Sequence, residues 1–298
     1  MTLERAESEP RIEPEIESET QADVPSEAVE PTWRRFDVAS ETDEALTAAQ
    51  SAIAAGQCIV LPTDTVYGIG ANAFSAAAVQ GLLDAKHRGR DMPPPVLIAE
   101  ASMLRSLATG LTRSGLDLAR AFWPGPLTVV VTAHPDLQVD LGDRGDTIAV
   151  RVPDHDFTRE LLRRTGPLAV SSANVSGRDA ALTISDAVEQ LGDSVQVYLD
   201  AGTMSGPVPS TILDLSGDTP SLLRAGRLSV DDINAVVPGL LAEPEVLRRA
   251  NISERTFSVL REGMRRVTQP RGTAWYNFSQ LPVTVAGKTG SAEVGRGI

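Results

Sequence analysis

The 298-residue sequence is poor in the residues that form disulfides and metal sites, since it contains one cysteine and three histidines. A single cysteine, Cys58, excludes an internal disulfide and a multi-cysteine metal site, and it is consistent with a reducing compartment. His87, His134 and His155 fall in no recognisable metal-ligand or catalytic-triad spacing. We therefore interpret Cys58 as a small buried hydrophobic residue and predict no metal-ligating side chains.

Long apolar runs and an excess of positive charge are also lacking. No stretch approaches the roughly twenty apolar residues of a membrane span, and no apolar segment follows a basic start, so we expect a cytoplasmic protein without membrane contact. The formal net charge of -13 argues against a broad nucleic-acid-binding surface, because such binding depends mainly on neutralising phosphates. Any contact with RNA is therefore expected to be local.

Composition divides the chain into three zones. Residues 1–31 hold ten acidic and two basic side chains among Ser and Pro, which predicts a disordered acidic arm. Residues 32–244 alternate short β-branched runs with Ala- and Leu-rich helical patterns, which predicts an α/β catalytic domain. Residues 245–298 are Arg-rich and end in a Gly-rich tail, so we interpret them as an extraneous extension.

Hydrophobic periodicity predicts several elements within the middle zone. Helices are predicted over 44–55, 75–86 and 157–164, with Ser75 as an N-cap and Gly56 closing the first. Strands are predicted over 58–61, 96–99, 127–132, 147–152, 168–171, 195–199 and 211–215. Several of these strands are apolar throughout, which indicates a sheet covered by helices on both faces.

Polar residues gather where the first of these strands ends. The strand 58–61 leads into Pro-Thr-Asp-Thr-Val-Tyr-Gly-Ile-Gly, and strand ends are where open α/β sheets bind ligands. The next helix then delivers Lys86, Arg88 and Arg90 at its carboxyl end, where they could grip a polyphosphate. Such cations can also merely complement the helix dipole. Because both features lie in one strand–loop–helix unit, we favour an anion site.

Three further segments carry candidate polar groups. Ser-Ser-Ala-Asn-Val-Ser-Gly-Arg at 171–178 follows an apolar strand and could bind phosphate or ribose, although the same composition is common in ordinary turns. Arg151 interrupts an apolar strand, and a buried guanidinium needs an anionic partner, which we expect to be a substrate carboxylate. Ser210 and Arg224 open and close apolar runs and are individually weak signals.

These segments, in this order, resemble the YrdC-like family of threonylcarbamoyladenylate synthases over about residues 36–237. The resemblance lies in PTDTVYGIGANAF, the Lys86-x-Arg88 element with PPPVLI, WPGPLTVVV, TIAVRVP, SSANVSG, PSTILDL and LLRAG. It implies a twisted mixed β-sheet covered by helices, and the substrates ATP, L-threonine and bicarbonate, with Mg²⁺ accompanying ATP. The implied products are threonylcarbamoyl-adenylate and pyrophosphate, and partner proteins would transfer the threonylcarbamoyl group to adenosine 37 of tRNA.

The same resemblance assigns roles to individual residues. Threonine-binding roles are implied for Thr65, Arg151 and Ser210. Nucleotide-binding roles are implied for Lys86, Arg88, Thr147, Ser172, Asn174 and Arg224, with Lys86 and Arg88 as the catalytic cations facing the phosphates. Met92 and Leu97 depart from residues that are frequent in relatives. A non-catalytic protein of the same fold that binds double-stranded RNA or tRNA is the alternative, and it has no need of a buried Arg151.

The last zone resembles a fragment of a penicillin-binding transpeptidase near its Lys-Thr-Gly strand, at Lys288-Thr289-Gly290. Such enzymes need an upstream Ser-x-x-Lys nucleophile held in a transpeptidase domain, and a location outside the cytoplasm. The sequence provides neither that domain nor an export signal, so we predict no acyl-transfer activity from this tail. A docking role for an appended extension is the alternative.

Overall fold

The computed structural model describes residues 31–143 and 145–241. The predicted acidic arm, apart from Pro31, and the predicted transpeptidase-like tail lie outside the described residues. The division of the chain at residues 31 and 244 therefore stays a prediction.

The described residues form ten strands and seven α-helices, with two short 3₁₀ turns. The strands are β1 (Arg34–Asp37), β2 (Ile59–Leu61), β3 (Gly68–Asn72), β4 (Val96–Leu97), β5 (Leu127–Thr132), β6 (Thr147–Arg151), β7 (Leu168–Ser172), β8 (Val197–Asp200), β9 (Thr211–Asp214) and β10 (Ser221–Arg224). The helices are α1 (Thr42–Ala54), α2 (Ala76–Ala85), α3 (Leu104–Leu107), α4 (Arg113–Phe122), α5 (Asp156–Thr165), α6 (Ile184–Leu191) and α7 (Val230–Val236).

All ten elements predicted from periodicity are confirmed, with ends that differ by at most two residues. Ser75 is the N-cap of α2, and its side chain accepts a hydrogen bond from the Ala78 amide. Cys58 is buried as predicted, and burial raises the pKa of its thiol to about 11. The sequence analysis did not predict β1, β3 and β10, which lack a long apolar run.

All ten strands join one mixed sheet in the order β1-β8-β2-β3-β7-β4-β6-β5-β9-β10. Parallel pairs occur between β1 and β8, β2 and β8, β4 and β6, and β5 and β9, and the remaining neighbours are antiparallel. This mixed sheet with packed helices confirms the predicted α/β fold class. Parallel neighbours need crossover connections, which the helices supply.

The two faces of the sheet differ in the half formed by β5, β6, β9 and β10. One face contributes buried Leu127, Val129, Ile148, Val150 and Leu213 to the core. Their alternating neighbours lie on the opposite face, because side chains in a strand point to the two faces in turn. That face carries Thr128 and Arg151 deep in the fold, and its outer positions are partly exposed. This half of the sheet is thus less deeply covered on one face than β2, β3 and β7, whose residues are almost all buried.

The glycines of the Pro62–Gly70 segment lie where β3 passes close to its neighbours. A Cβ atom at Gly68 would lie 2.6 Å from Cγ1 of Val170, and one at Gly70 would lie 2.7 Å from Cδ2 of Leu61. Both distances are shorter than real Cβ contacts. These glycines thus let β2, β3 and β7 pack closely, and this packing fixes the loop 62–67 at the edge of the site.

Candidate active site

The carboxyl end of α2 has a local structure that determines where Arg88 begins. His87 has a positive φ of 50°, and its amide donates to the carbonyl of Asp84 while the amide of Arg88 donates to the carbonyl of Leu83. This pair of bonds is a Schellman motif, in which one left-handed residue terminates a helix.

Lys86 is the C-cap residue of α2 and is almost completely buried. Its Nζ donates to the carbonyl oxygens of Ser172 and Asn174 at 2.5 and 2.6 Å, and it lies 3.5 Å from Oδ1 of Asn174. Its own carbonyl accepts from the amide of Ser176. Burial, with a contribution from the Arg88 charge, lowers the pKa of Lys86 to about 7. Lys86 therefore holds the loop after β7 against the end of α2.

Arg88 contacts β7 itself, just before the same loop. Its Nη1 donates to Oγ of Ser171 at 3.0 Å, and its Nε is buried without a hydrogen-bond partner among the described residues. Burial lowers the pKa of Arg88. A buried guanidinium with a free donor is costly unless an anion completes it. Arg88 thus has the features of an anion-binding side chain.

The loop after β7 is held together by the side chain of Asn174. Its amide nitrogen donates to the carbonyls of Val175 and Arg178 at 2.9 and 2.8 Å. The amide of Val175 is in turn bonded to the side chain of Gln190 in α6. Through these bonds the Asn174 side chain fixes the shape of the loop. The loop follows Ser172, the last residue of β7.

A second group of polar side chains surrounds Arg151 at the end of β6. Its Nη2 contacts Oδ1 of Asp64 at 2.5 Å, its Nη1 donates to Oγ1 of Thr65 at 3.2 Å, and its Nε donates to the carbonyl of Gly125 at 3.0 Å. The hydroxyl oxygens Oγ1 of Thr63 and Thr65 lie 3.0 Å apart. Arg151 is only 6% exposed. Asp64 therefore supplies the anionic partner that the buried guanidinium needs, where the sequence analysis expected a substrate carboxylate.

Arg224, on β10, and Ser210, immediately before β9, form the third part of the site. Arg224 donates through Nε and Nη2 to the carbonyl of Ser210 and through Nη2 to its hydroxyl. The same hydroxyl lies 2.9 Å from Oγ1 of Thr128 on β5. A Cβ at Gly226 would lie 2.4 Å from the carbonyl carbon of Ser210, so the backbone after β10 presses directly on this residue.

Electrostatic coupling links these three parts. Burial, with smaller contributions from the charges of Arg151 and Arg88, lowers the pKa of Arg224 to about 10. The guanidinium groups of Arg151, on β6, and of Arg88, after α2, therefore each lie close enough to that of Arg224, on β10, to repel it. Such repulsion is relieved when an anion binds among them. The predicted residues Arg88, Arg151 and Arg224 thus converge on one site.

Two residues that the sequence analysis singled out, Arg90 and Thr147, lie at a distance from Arg88 and Arg151, respectively. Arg90 contacts Oδ1 of Asp140 at 2.5 Å and Oε1 of Gln80 at 3.1 Å, so it is engaged on the surface rather than beside Arg88. The expectation that three cations after α2 act together is therefore wrong for Arg90. Thr147 lies on the same face of β6 as Arg151 but at the other end of the strand, about 13 Å away by strand rise.

The sequence analysis missed several side chains that complete the site. Asp64, Thr63 and Thr128 contact predicted residues directly. His155 precedes α5 and is partly buried, which lowers its pKa, while the Asp64 charge acts in the opposite direction. Asp64 and Thr63 lie in the polar Pro62–Gly70 segment that the sequence analysis had quoted. The high density of polar residues in this segment could have identified both as site residues.

Metal-ligand clusters and membrane-spanning helices are both absent from the described residues. Within the ranges 31–143 and 145–241, no three side chains of His, Cys, Asp or Glu are grouped in a way that could hold a metal ion. In the same ranges no helix combines the length and apolarity needed to cross a bilayer.

A measurable consequence of the buried Lys86 is a pH-dependent stability. Its folded pKa of about 7 lies below the ordinary value of 10.5, so above pH 7 the unfolded chain binds a proton that the folded chain does not. The free energy of unfolding of the wild type, measured relative to Lys86→Met, is therefore expected to rise with pH between 7 and 10, by up to about 1.4 kcal/mol per pH unit. Urea unfolding of both proteins at pH 7 and 9 tests this, and a difference that does not change with pH contradicts it.

Comparison with known proteins places this site in a family. The family model Sua5/YciO/YrdC, described as "Telomere recombination", matches residues 51–226. The chain belongs to the Sua5/YciO/YrdC family. All nine predicted site residues fall within the matched range, and the resemblance to the YrdC-like family is confirmed.

Curated proteins named as threonylcarbamoyl-AMP synthases are similar to this chain over about two thirds of its length. A Mycobacterium tuberculosis protein named "Putative threonylcarbamoyl-AMP synthase" is 48% identical over 204 residues, covering 68% of this chain and 94% of the relative. The Bacillus subtilis threonylcarbamoyl-AMP synthase is 34% identical, covering 67% of this chain and 59% of the relative.

Solved structures of the family share the fold. The crystal structure of P. abyssi Sua5 complexed with L-threonine has a TM-score of 0.65 and 32% identity, and the match covers 74% of this chain and 64% of that one. This chain thus spans less than two thirds of that Sua5. E. coli YciO has a TM-score of 0.60 at 21% identity, covering 67% of this chain and 97% of YciO, which concerns the fold alone.

Proposed function

We propose that this chain is an L-threonylcarbamoyladenylate synthase, which forms threonylcarbamoyl-AMP and pyrophosphate from ATP, L-threonine and bicarbonate. The observation that carries the proposal is the convergence of Arg88, Arg151 and Arg224 on one polar site with a buried, unpaired donor on Arg88. A site of this kind is completed by anions. The names of the similar family members, including a Sua5 crystallised with L-threonine, support these substrates.

The nucleotide half of the site is assigned to the segment after α2 and the loop after β7. Arg88 is assigned to the phosphates through its buried Nε, and Ser172, the residue after the Ser171 that Arg88 contacts, is assigned as a further hydroxyl. Lys86 and Asn174 contribute by shaping the loop, because their polar groups contact its backbone. Arg224 completes the cationic lining, and Thr147 contributes a hydroxyl on the same face of β6 as Arg151.

The amino-acid half is assigned to Thr65, Arg151 and Ser210. Arg151 pairs with the threonine carboxylate through the guanidinium hydrogens that Asp64, Thr65 and Gly125 leave free. A guanidinium fork suits a planar carboxylate because two parallel hydrogen bonds can form. The hydroxyls of Thr65 and Ser210 supply small polar contacts that match a side chain of threonine size.

The proposed reaction joins these halves without a covalent enzyme intermediate. The amine of threonine takes up carbon dioxide as a carbamate, and a carbamate oxygen attacks the α-phosphorus of ATP while the bond to pyrophosphate breaks. Negative charge develops on the leaving pyrophosphate, and positioned cations such as Arg88 stabilise it. Confinement of the reactants also lowers the entropic part of the barrier. The nucleotidyl transfer makes this chain a nucleotidyltransferase.

Magnesium and partner proteins complete the proposal. Mg²⁺ enters as MgATP, held by phosphate oxygens, since this ion commonly binds through substrate phosphates with few protein ligands. The product supplies the activated group for adenosine 37 of tRNA, and partner proteins of a threonylcarbamoyl-transfer complex would use it. This assignment to tRNA modification is consistent with a cytoplasmic enzyme.

The proposal is tested by incubating the full chain with ATP, L-threonine, bicarbonate and Mg²⁺. Pyrophosphate release that depends on threonine is expected, and mass spectrometry should detect threonylcarbamoyl-AMP. L-Valine, which has the shape of threonine without its hydroxyl, is the matched substrate control and should support little release, because polar groups of the site stay unpaired. Binding of RNA without pyrophosphate release would instead favour the non-catalytic alternative.

A further inference from the structure

Asp64 does more than neutralise the charge of Arg151, because it also contacts other segments of the site. Its Oδ1 accepts from Nη2 of Arg151 and from the amide of Asp154 at 3.0 Å. Its backbone carbonyl accepts from Nη1 of Arg227 at 2.7 Å and from Oγ of Ser205 at 3.3 Å. The Asp64 side chain is 11% exposed. Asp64 therefore links its own loop to three other parts of the chain, at residues 151–154, 205 and 227.

The second carboxylate oxygen of Asp64 has no such partner. Oδ2 is buried and makes no hydrogen bond to the described residues. Within that part of the chain, Oδ2 and Nε of Arg88 are the two buried side-chain atoms left unpaired, and both belong to the candidate active site. Buried polar atoms are nearly always paired in folded proteins, so an unpaired acceptor inside a site indicates a ligand that donates to it.

The position of Oδ2 beside Arg151 narrows the chemistry of this ligand. Oδ1 of the same carboxylate contacts Nη2 of Arg151, and Nη1 contacts Thr65. An amino acid whose carboxylate pairs with Arg151 carries its amino group on the adjacent carbon, within a few ångströms of the guanidinium. An ammonium group donates up to three hydrogen bonds, and its charge complements a buried carboxylate.

We propose that Asp64 binds the α-amino group of the amino-acid substrate through Oδ2 and thereby selects an amino acid over an otherwise identical hydroxy acid. This inference rests on the proposed function, because it takes L-threonine as the ligand. Asp64 and Arg151 then form a complementary pair that recognises the two charged ends common to all α-amino acids. The pair also holds the amino nitrogen, the atom that takes up carbon dioxide, at a constant position.

Calorimetric titration of the full chain with two ligands tests the assignment. The ligands are L-threonine and 2,3-dihydroxybutanoate of matching configuration, in which a hydroxyl replaces the amino group. Wild type is expected to bind threonine at least about tenfold more tightly, because loss of a charge-assisted hydrogen bond leaves the buried oxygen unpaired. Asp64→Asn should lower the affinity for threonine at least about tenfold and change that for the analogue by less than about threefold.

The ratio of the two affinities separates ligand binding from a merely structural role. If Asp64 only orients Arg151, both ligands lose affinity together in Asp64→Asn, because both carry the carboxylate that Arg151 would bind. An unchanged ratio therefore overturns the proposal. Equal affinity of the wild type for the two ligands overturns it as well, and this measurement needs no variant that must fold.

Matched variants keep the result interpretable. Asp154 contacts Asp64 only through its backbone amide, and its side chain is exposed. Asp154→Asn therefore keeps this contact, and both affinities should stay unchanged. If Asp64→Asn does not fold, Asp64→Glu retains the charge while displacing it, and it should raise the KM for threonine without changing the KM for ATP. A normal KM for threonine in Asp64→Glu contradicts the assignment.

The outcomes also separate this inference from the proposed function. Absence of threonine binding and of threonine-dependent pyrophosphate release in the wild type contradicts the proposed function itself. Normal wild-type activity with an unchanged affinity ratio in Asp64→Asn contradicts only the role of Asp64.

Discussion

Substituting lysine for Arg151 is expected to lower kcat/KM for L-threonine by at least about 100-fold, because a lysine cannot reproduce a guanidinium fork. Arg151 uses separate nitrogens to contact Gly125, Thr65 and Asp64, and the remaining hydrogens are the ones proposed for the substrate carboxylate. A lysine keeps the charge opposite Asp64 but offers it at one point. The KM for ATP should change much less than the KM for threonine.

The same substitution is expected to reduce the free energy of unfolding by roughly 1–3 kcal/mol, because buried acceptors lose their donors. Urea unfolding monitored by circular dichroism measures this change. Arg159→Lys is the matched control, since Arg159 makes a similar fork to the carbonyl of Ala99 and to Glu100 at the surface of α5. Its kinetics should match the wild type. A normal KM for threonine in Arg151→Lys would contradict the assigned role.

Replacing Arg88 with alanine is expected to suppress threonine-dependent pyrophosphate release by about 100-fold or more, which is the scale for losing a positioned donor that stabilises developing charge. Arg88 is partly buried, its Nε is buried with no hydrogen-bond partner in the part of the chain that the structure describes, and its Nη1 contacts Ser171 near the end of β7. Formation of threonylcarbamoyl-AMP, followed by mass spectrometry, should fall in parallel with pyrophosphate.

Arg90→Ala provides the control for Arg88→Ala. Arg90 lies only two residues further along the chain, and it is engaged with Asp140 and Gln80 rather than with the site. Its removal should leave pyrophosphate release within about twofold of the wild type, because exposed ion pairs contribute little. Equal losses in the two variants would mean that general charge, rather than the position of Arg88, supports the reaction.

Much of the site was predictable because its residues cluster in short segments around regular elements. The pattern of α2 located Lys86 and Arg88 at the end of a helix, and the strand 147–152 exposed the anomaly of Arg151. The need of a buried guanidinium for an anion also predicted that Arg151 has a partner. These inferences depend on local periodicity and on the cost of burying charge, and both are properties of short stretches of sequence.

Other features could not be predicted from local patterns. β3 contains two glycines and is read as a loop, yet it is paired on both sides, with β2 and with β7. Asp64 was seen only as one polar residue in a loop, because its partners Arg151, Asp154 and Arg227 lie 87, 90 and 163 residues away. Thr128 gave no signal inside an apolar strand, although it contacts Ser210.

Local sequence was thus sufficient for the α/β class, most of the elements and the chemical types of the site residues, because each is set by periodicity, propensity and burial over a few residues. The tertiary structure decided which cations act together, bringing Arg224 to Arg88 and Arg151 while keeping Arg90 apart. It also decided that Lys86 holds a loop and that Asp64 retains a free oxygen. Strand order and register bring distant residues together, and no local pattern encodes such long-range pairings.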